Sequence, residues 1–260
     1  MLSNILKDRP VKLFVIITAF FVANALIAEC IGTKIFSLEK LFGSAPFSFS
    51  LLGEKGLALS LTCGVLLWPL EFVMTDIVNE FYGPKAVRRI SFIAVALISY
   101  AFLMFYMAMS VPPADFWYGT GTSKGVPDMS KAFNAVFGQG MWIIFGSLIA
   151  FLVSQIVDVT VFHWIKKSTG DKKIWLRATG STLVSQLVDS FIVLYIAFHI
   201  GNDWSMQRVL AIGMVNYAYK FLVSVLLTPV IYIIHNAIER YIGKDVAHTM
   251  KLAAMGKTNE

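Results

Sequence analysis

The stretch RISFIAVALISYAFLMFYMAMSV, residues 89–111, decides the fold class. Between Arg89 and Val111 it holds no charged residue. About 20 mainly apolar residues are what a helix needs to cross the hydrocarbon core of a bilayer. The run is too long for a buried strand and shows no strict alternation, which disfavours a barrel. Five further segments read the same way, over residues 11–36, 57–80, 139–165, 178–200 and 208–237. The sequence therefore predicts an all-α polytopic membrane protein with six transmembrane helices, one transmembrane domain over 1–260. The first segment begins like a signal peptide, with Lys7, Arg9 and Lys12 ahead of an apolar run and Ala23-Asn24-Ala25 inside it. The apolar run continues to Phe36, so it is read as a retained first helix.

Composition agrees. Of 260 residues, 57% are hydrophobic and only 15% charged, against about 25% charged in a soluble domain. Most of the surface therefore does not face water, and the lipid bilayer is the expected surroundings. The net charge of +6 would suit nucleic acid in a soluble protein. Here the basic residues sit in short loops between apolar runs, with no basic–aromatic pattern, so no nucleic-acid partner is expected. Cys30 and Cys63 fall in apolar stretches without zinc spacing or a disulfide framework.

The loops set the direction. Lys7, Arg9 and Lys12 precede the first span against Asp8. Lys85, Arg88 and Arg89 lie between the second and third. Lys166, Lys167, Lys172, Lys173 and Arg177 lie between the fourth and fifth against Asp171. The remaining loops are balanced. Positive charge alternates with span number, which predicts an N-in, C-in topology. The long third loop, 112–138, falls outside, either as a cap over an external vestibule or as a plain connector.

Several charged groups lie where lipid should be: Glu29, Glu71, Asp76, Asp158, Asp189 and Lys220. Each costs roughly 2.5–3.5 kcal/mol at a helix centre on insertion scales, and such residues usually face a cavity or a partner. Five acids against one lysine cannot all pair internally. At 100° per residue, Trp68, Glu71, Phe72, Thr75, Asp76 and Asn79 fall within an arc of about 140°. This makes one wet, aromatic-lined face. Pro69 sits in the middle of the predicted second span and predicts a kink or an unwound turn. Broken helices near the midplane are where transporters place ligands; a packing kink is the plainer alternative.

Spans four and five carry a local repeat. Ser154-Gln155-Ile156-Val157-Asp158 matches Ser185-Gln186-Leu187-Val188-Asp189, with Ser, Gln and Asp of each on one stripe about 100° wide. The stripes either line one cavity or join the helices by hydrogen bonds. In span six Gly213, Asn216, Tyr217, Lys220, Ser224 and Thr228 share a face, and Lys220 is expected either to pair with an acid or to meet the substrate. His163, His199, His235 and His248 lie at span ends or beyond, which favours interfacial roles over metal binding. There is no His-Glu-x-x-His, Walker A or Gly-x-Ser-x-Gly motif. No catalytic residue, metal or cofactor is expected, and ATP hydrolysis by this chain is unsupported.

The run Glu71-Phe-Val-Met-Thr-Asp-Ile-Val-Asn-Glu-Phe-Tyr-Gly83, the two Ser-Gln-x-Val-Asp blocks and Asn216-Tyr-Ala-Tyr-Lys220 resemble the queuosine precursor transporters, formerly classed as vitamin uptake transporters. The likeness runs through nearly the whole chain in order. It implies a multi-pass transporter of the bacterial inner (cytoplasmic) membrane. Its implied substrates are 7-cyano-7-deazaguanine, 7-aminomethyl-7-deazaguanine or both. The implied binding residues are Trp68, Glu71, Phe72, Asp76, Asn79, Gln155, Asp158, Gln186, Asp189, Asn216, Tyr217 and Lys220. A carboxylate can accept the paired N–H groups of a guanine edge, and Gln or Asn can serve mixed edges. Trp68, Phe72 and Tyr217 can stack on the flat base. On this reading Asp158 or Asp189 takes the guanine edge with Gln155 and Gln186, and Glu71 or Asp76 faces the 7-substituent or carries a coupling proton. A homodimer is left open. Two alternatives come from other classes. One is a substrate-binding membrane subunit of a multi-component vitamin importer, which would need a partner ATPase. The other is an intramembrane aspartyl hydrolase using Asp158 and Asp189, which lacks a Gly-x-Gly-Asp signature.

Overall fold

The structure, a computed structural model, describes residues 8–138, 140–169 and 173–255. Lys7, Asp171 and Lys172 of the charge count and Gln139 at the start of the fourth span lie outside the described residues. Long helices follow from the apolar runs: α1 (Arg9–Ile31), α2 (Trp68–Tyr82), α3 (Pro84–Ser110), α4 (Met129–Phe137), α5 (Met141–Thr169), α6 (Ile174–Leu194), α7 (Met206–Ile242) and α8 (Lys244–Ala254). A π-helical turn, Tyr195–Ile200, prolongs α6. Among the described residues five helices are long and apolar enough to cross a membrane: α1, α3, α5, α6 and α7. Their outer faces carry exposed Phe92, Tyr100, Trp164, Leu222, Leu226 and Ile233. Apolar cover on this scale is foreign to a soluble monomer. The chain is a multi-pass membrane protein.

The predicted second span, 57–80, is corrected by the structure. Residues Glu54–Leu57 and Ser60–Thr62 are strands, Cys63–Leu66 is a 3-10 turn, and helix α2 starts only at Trp68. Pro69 lies in the first turn of α2 rather than inside a helix, so it breaks no hydrogen bond there; its missing N–H belongs to the donors a first turn leaves free anyway. Two antiparallel ribbons account for the rest. Ile35–Ser37 pairs with Ser60–Thr62, and Phe49–Leu51 pairs with Glu54–Leu57. Gly64 explains how the 3-10 turn can lie directly on α1: a Cβ there would stand 2.7 Å from the carbonyl oxygen of Ala28.

Helix α2 is the centre of the molecule, with 11 of its 15 residues buried. It has three differently dressed faces. Val73, Ile77 and Phe81 pack against Ile231, Ile238 and Ile242 of α7 and Ala247 of α8. Met74 and Val78 pack with Phe21 of α1, Val87, Ile90 and Ala94 of α3, and Phe151 and Val159 of α5. The third face is polar and meets α5 and α6: Thr75 Oγ1 donates to Gln155 Oε1 at 3.1 Å, and Glu80 is bonded to Arg177. Gly83 ends α2 at φ 81° and ψ 174°, a conformation reserved in practice for glycine, and Pro84 starts α3 immediately.

The helix ends sort into two groups. At one end Tyr82 donates to the carbonyl of Pro10 at 2.7 Å, Arg9 donates to the carbonyl of Tyr241 at 3.0 Å, and Glu80 meets Lys166 and Arg177. At the other, Ile35 pairs with Thr62, Gln207 reaches the Leu52 carbonyl, and Gly201 lies against Trp142. Successive members of α1, α2, α3, α5, α6 and α7 therefore run antiparallel. The third loop is not bare: Trp117, Phe133 and Phe137 form an aromatic chain that ends on Phe105 of α3.

Candidate functional site

A cavity opens between α2, α6 and α7. Trp68, Phe72 and Asp76 reach it from α2, Thr179, Thr182 and Gln186 from α6, and Tyr219, Lys220 and Ser224 from α7. The spacing explains the convergence. Residues 68, 72 and 76 are one helical turn apart, as are 220 and 224, and residues 179, 182 and 186 follow the three-and-four spacing of a single stripe. The walls are aromatic on the α2 side and polar on the α6 side.

Of the residues singled out from sequence, Trp68, Phe72, Asp76, Gln186 and Lys220 line this cavity. Both carboxylate oxygens of Asp76 are buried with no well-formed hydrogen bond, although Thr182 approaches them. The Gln186 amide oxygen is likewise unpartnered. Lys220 Nζ lies 2.5 Å from Asp189 Oδ2, so the pairing alternative raised by the sequence is realised. It also keeps Lys220 on the cavity wall.

The others lie around it. Asp158 is fully buried behind Asp76, within its electrostatic reach, and accepts from Ser185 at 3.0 Å. Gln155 is held by Thr75, and Asn79 is buried one turn along from Asp76 with neither amide atom bonded. Glu71 points the opposite way, where Asn24 of α1 donates to it at 2.9 Å. Glu29 accepts from Ser147 at 3.2 Å. Asn216 and Tyr217 are half-buried on α7 outside the cavity lining, and Tyr217 packs edge-on against Phe221. The aromatic residue α7 contributes is Tyr219.

Sequence reasoning missed one cluster. Glu80 Oε1 lies 2.8 Å from Arg177 Nη2, and Glu80 Oε2 lies 3.1 Å from Lys166 Nζ. Lys166 also donates to the Glu80 carbonyl at 2.9 Å. The three side chains are 4%, 0% and 1% exposed. Lys166 and Arg177 count as loop charges in the orientation argument; instead α5 and α6 extend past them and bury both. The available signal was the spacing of Glu80, four residues after Asp76, which puts it on the same face of α2.

The profile of the family described as "Putative vitamin uptake transporter" matches residues 62–234. The chain belongs to this family. The matched region contains α2, α3, α5 and α6 whole and most of α7, and with them every cavity-lining residue. A "Probable queuosine precursor transporter" of Bacillus subtilis is 32% identical over 180 residues, covering 67% of this chain and 71% of the relative. The "Queuosine precursor transporter" of Escherichia coli is 30% identical over 165 residues, covering 63% and 67%. A Haemophilus influenzae relative carrying the same "Probable" name is 26% identical over 181 residues, covering 69% and 70%. No solved structure matches. The protein is thus a membrane transporter of a small molecule and not an enzyme.

Proposed function

We propose that the protein takes up 7-deazaguanine precursors of queuosine, the 7-cyano or 7-aminomethyl base or both, across a bacterial inner membrane. The names of the relatives give the substrate class, and the cavity supplies matching chemistry. The observation that carries the reading is a carboxylate with two unpartnered oxygens, Asp76, beside the rings of Trp68 and Phe72.

The ring stacks on Trp68, Phe72 or Tyr219. Asp76 accepts the neighbouring N–H groups of the guanine edge, and Gln186 serves a mixed donor–acceptor edge. Lys220, held by Asp189, offers its remaining donors to a carbonyl oxygen. This shifts the edge-reading role from Asp158 or Asp189 to Asp76, the acid on the cavity wall. Asp158 and Gln155 then shape the site from behind, Asn79 stands one turn along from Asp76, and Glu71 faces α1.

Six crossings with both ends inside follow if α2, together with the 3-10 turn before it, counts as a crossing buried in protein. Irregular backbone at membrane depth is tolerated where protein covers it. The antiparallel pairing of helix ends and the basic residues gathered near Arg9, Lys85 and Arg240 support that orientation. The test of the site is an amide series, Glu71→Gln, Asp76→Asn, Asp158→Asn and Asp189→Asn, with uptake measured in each. Asp76→Asn is expected to lose uptake; wild-type uptake by all four variants rejects the acid-lined cavity.

A further inference from the structure

We propose that Glu80, Lys166 and Arg177 form the latch that closes the cytoplasmic end of the transport path and opens once per cycle. The inference extends the reading of the cavity as a substrate site on an N-in chain, and the latch is tested below without any substrate.

The cavity ends where the latch begins. Asp76 and Thr179 line the cavity, and Glu80 and Arg177 stand one turn and two residues further toward the basic end. There the seam between α2, α5 and α6 is shut by the two ion pairs, and no side chain of the three is more than 4% exposed. Both ion pairs and the Lys166 bond to the carbonyl meet at one residue, Glu80, near the end of a short helix. Two breaks flank that helix: the 3-10 turn Cys63–Leu66 before it, and Gly83 at φ 81° after it. A small displacement of the end of α2 would therefore loosen its hold on α5 and α6 together.

Stability alone does not explain such a choice of residues. Buried ion pairs replaced by well-packed apolar side chains are often neutral or stabilising. An apolar seal has a different drawback: opening it exposes oily surface to water. Charged groups can rehydrate when the seam parts and pair again when it closes, so they suit an interface that must do both. Asp76, unpaired and within electrostatic reach of Arg177, couples the latch to the cavity. A base that engages Asp76 alters the field that holds Arg177 on Glu80.

The test reads access to the cavity from the cytoplasmic side. Cys30 and Cys63 are first replaced by Ser, and Thr179→Cys supplies a cavity-lining thiol. A membrane-impermeant maleimide is then applied to inside-out vesicles. Glu80→Gln takes the charge from both ion pairs and is expected to label at least about 10-fold faster than the Glu80 background, the equilibrium shift that losing even one charge-assisted hydrogen bond to the closed state produces. Because Glu80→Gln takes the carboxylate away from two buried cations, a second variant guards against misfolding: Glu80→Met with Lys166→Met and Arg177→Met. It is expected to fold, to label more slowly than the background and to lose uptake. Unchanged labelling in both variants, each shown to be folded in the membrane, overturns the latch. So does normal uptake by the triple variant. Labelling that changes as expected while no deazaguanine enters the cell leaves the latch standing and rejects the substrate.

Discussion

Breaking the pair between Asp189 and Lys220 separates two roles that the cavity assigns to the lysine. The ammonium lies 2.5 Å from the carboxylate, and the two side chains are 21% and 17% exposed. A hydrogen bond to a charged group contributes about 1.5–3 kcal/mol when well shielded. Exposure of about a fifth admits some water, and screening lowers the expected coupling to ~1–2 kcal/mol. That is a factor of about 5–30 in an equilibrium. The perturbation is a double-mutant cycle of Lys220→Met, Asp189→Asn and both together, followed by denaturation in detergent micelles and by uptake in cells. Each single variant loses stability, and the double variant loses about 1–2 kcal/mol less than the sum of the two. Uptake behaves differently. Lys220 lines the cavity, so the double variant regains stability and stays defective, with the half-saturating concentration raised about tenfold or more. A coupling energy below roughly 0.3 kcal/mol, the ordinary scatter of additivity, refutes the ion pair. Recovery of uptake along with stability refutes Lys220 as a substrate contact.

Outside the membrane, Glu39 accepts from Ser37 Oγ at 2.6 Å, from the Leu59 amide at 2.6 Å and from the Phe47 amide at 3.3 Å. These bonds, the Ser37 hydroxyl first, hold its carboxyl down at about 2. A depressed value in the folded state stabilises the loop above the unfolded value near 4.5 and is lost as pH falls toward 2. Amide exchange at Leu59, corrected for its intrinsic rate, should therefore accelerate between pH 4.5 and 2, and Glu39→Gln should abolish that dependence. Gly83→Ala forces a side chain into φ 81° with Ala254 only 3.3 Å away; such strain costs about 1–3 kcal/mol, read as a lower melting temperature, and an unchanged one contradicts the account of the α2–α3 corner. Reporter fusions after Gly125 and after Met255 should report outside and inside respectively, and two reports from the same side reject the proposed orientation.

The five long helices were legible because a bilayer imposes a length and a polarity that few other settings share, and the charges inside them announced themselves by cost. Asp76, Gln186 and Lys220 could be found because a charge or an amide at membrane depth needs a reason. The region 32–67 was not legible. Its apolar residues satisfy a hydropathy reading, but the ribbons and the 3-10 turn take up the stretch from which a continuous second span was expected. Pro69 was misplaced for the same cause, since a helix start and a helix kink use the same residue. Glu80, Lys166 and Arg177 escaped because charge counting treats the ends of spans as water-exposed, and only tertiary packing shows that the helices continue and bury them. Tyr219 in place of Tyr217 is a matter of which way α7 turns toward α2, which no single helix encodes.

The central claim is that a deazaguanine base enters the cell through this protein. The direct measurement is mass-detected uptake of 7-cyano-7-deazaguanine by cells unable to synthesise it, with and without the chain. The account predicts that queuosine appears in tRNA only when the chain is present, and that Asp76→Asn abolishes it. No uptake by cells holding the folded protein in their membrane would contradict the account.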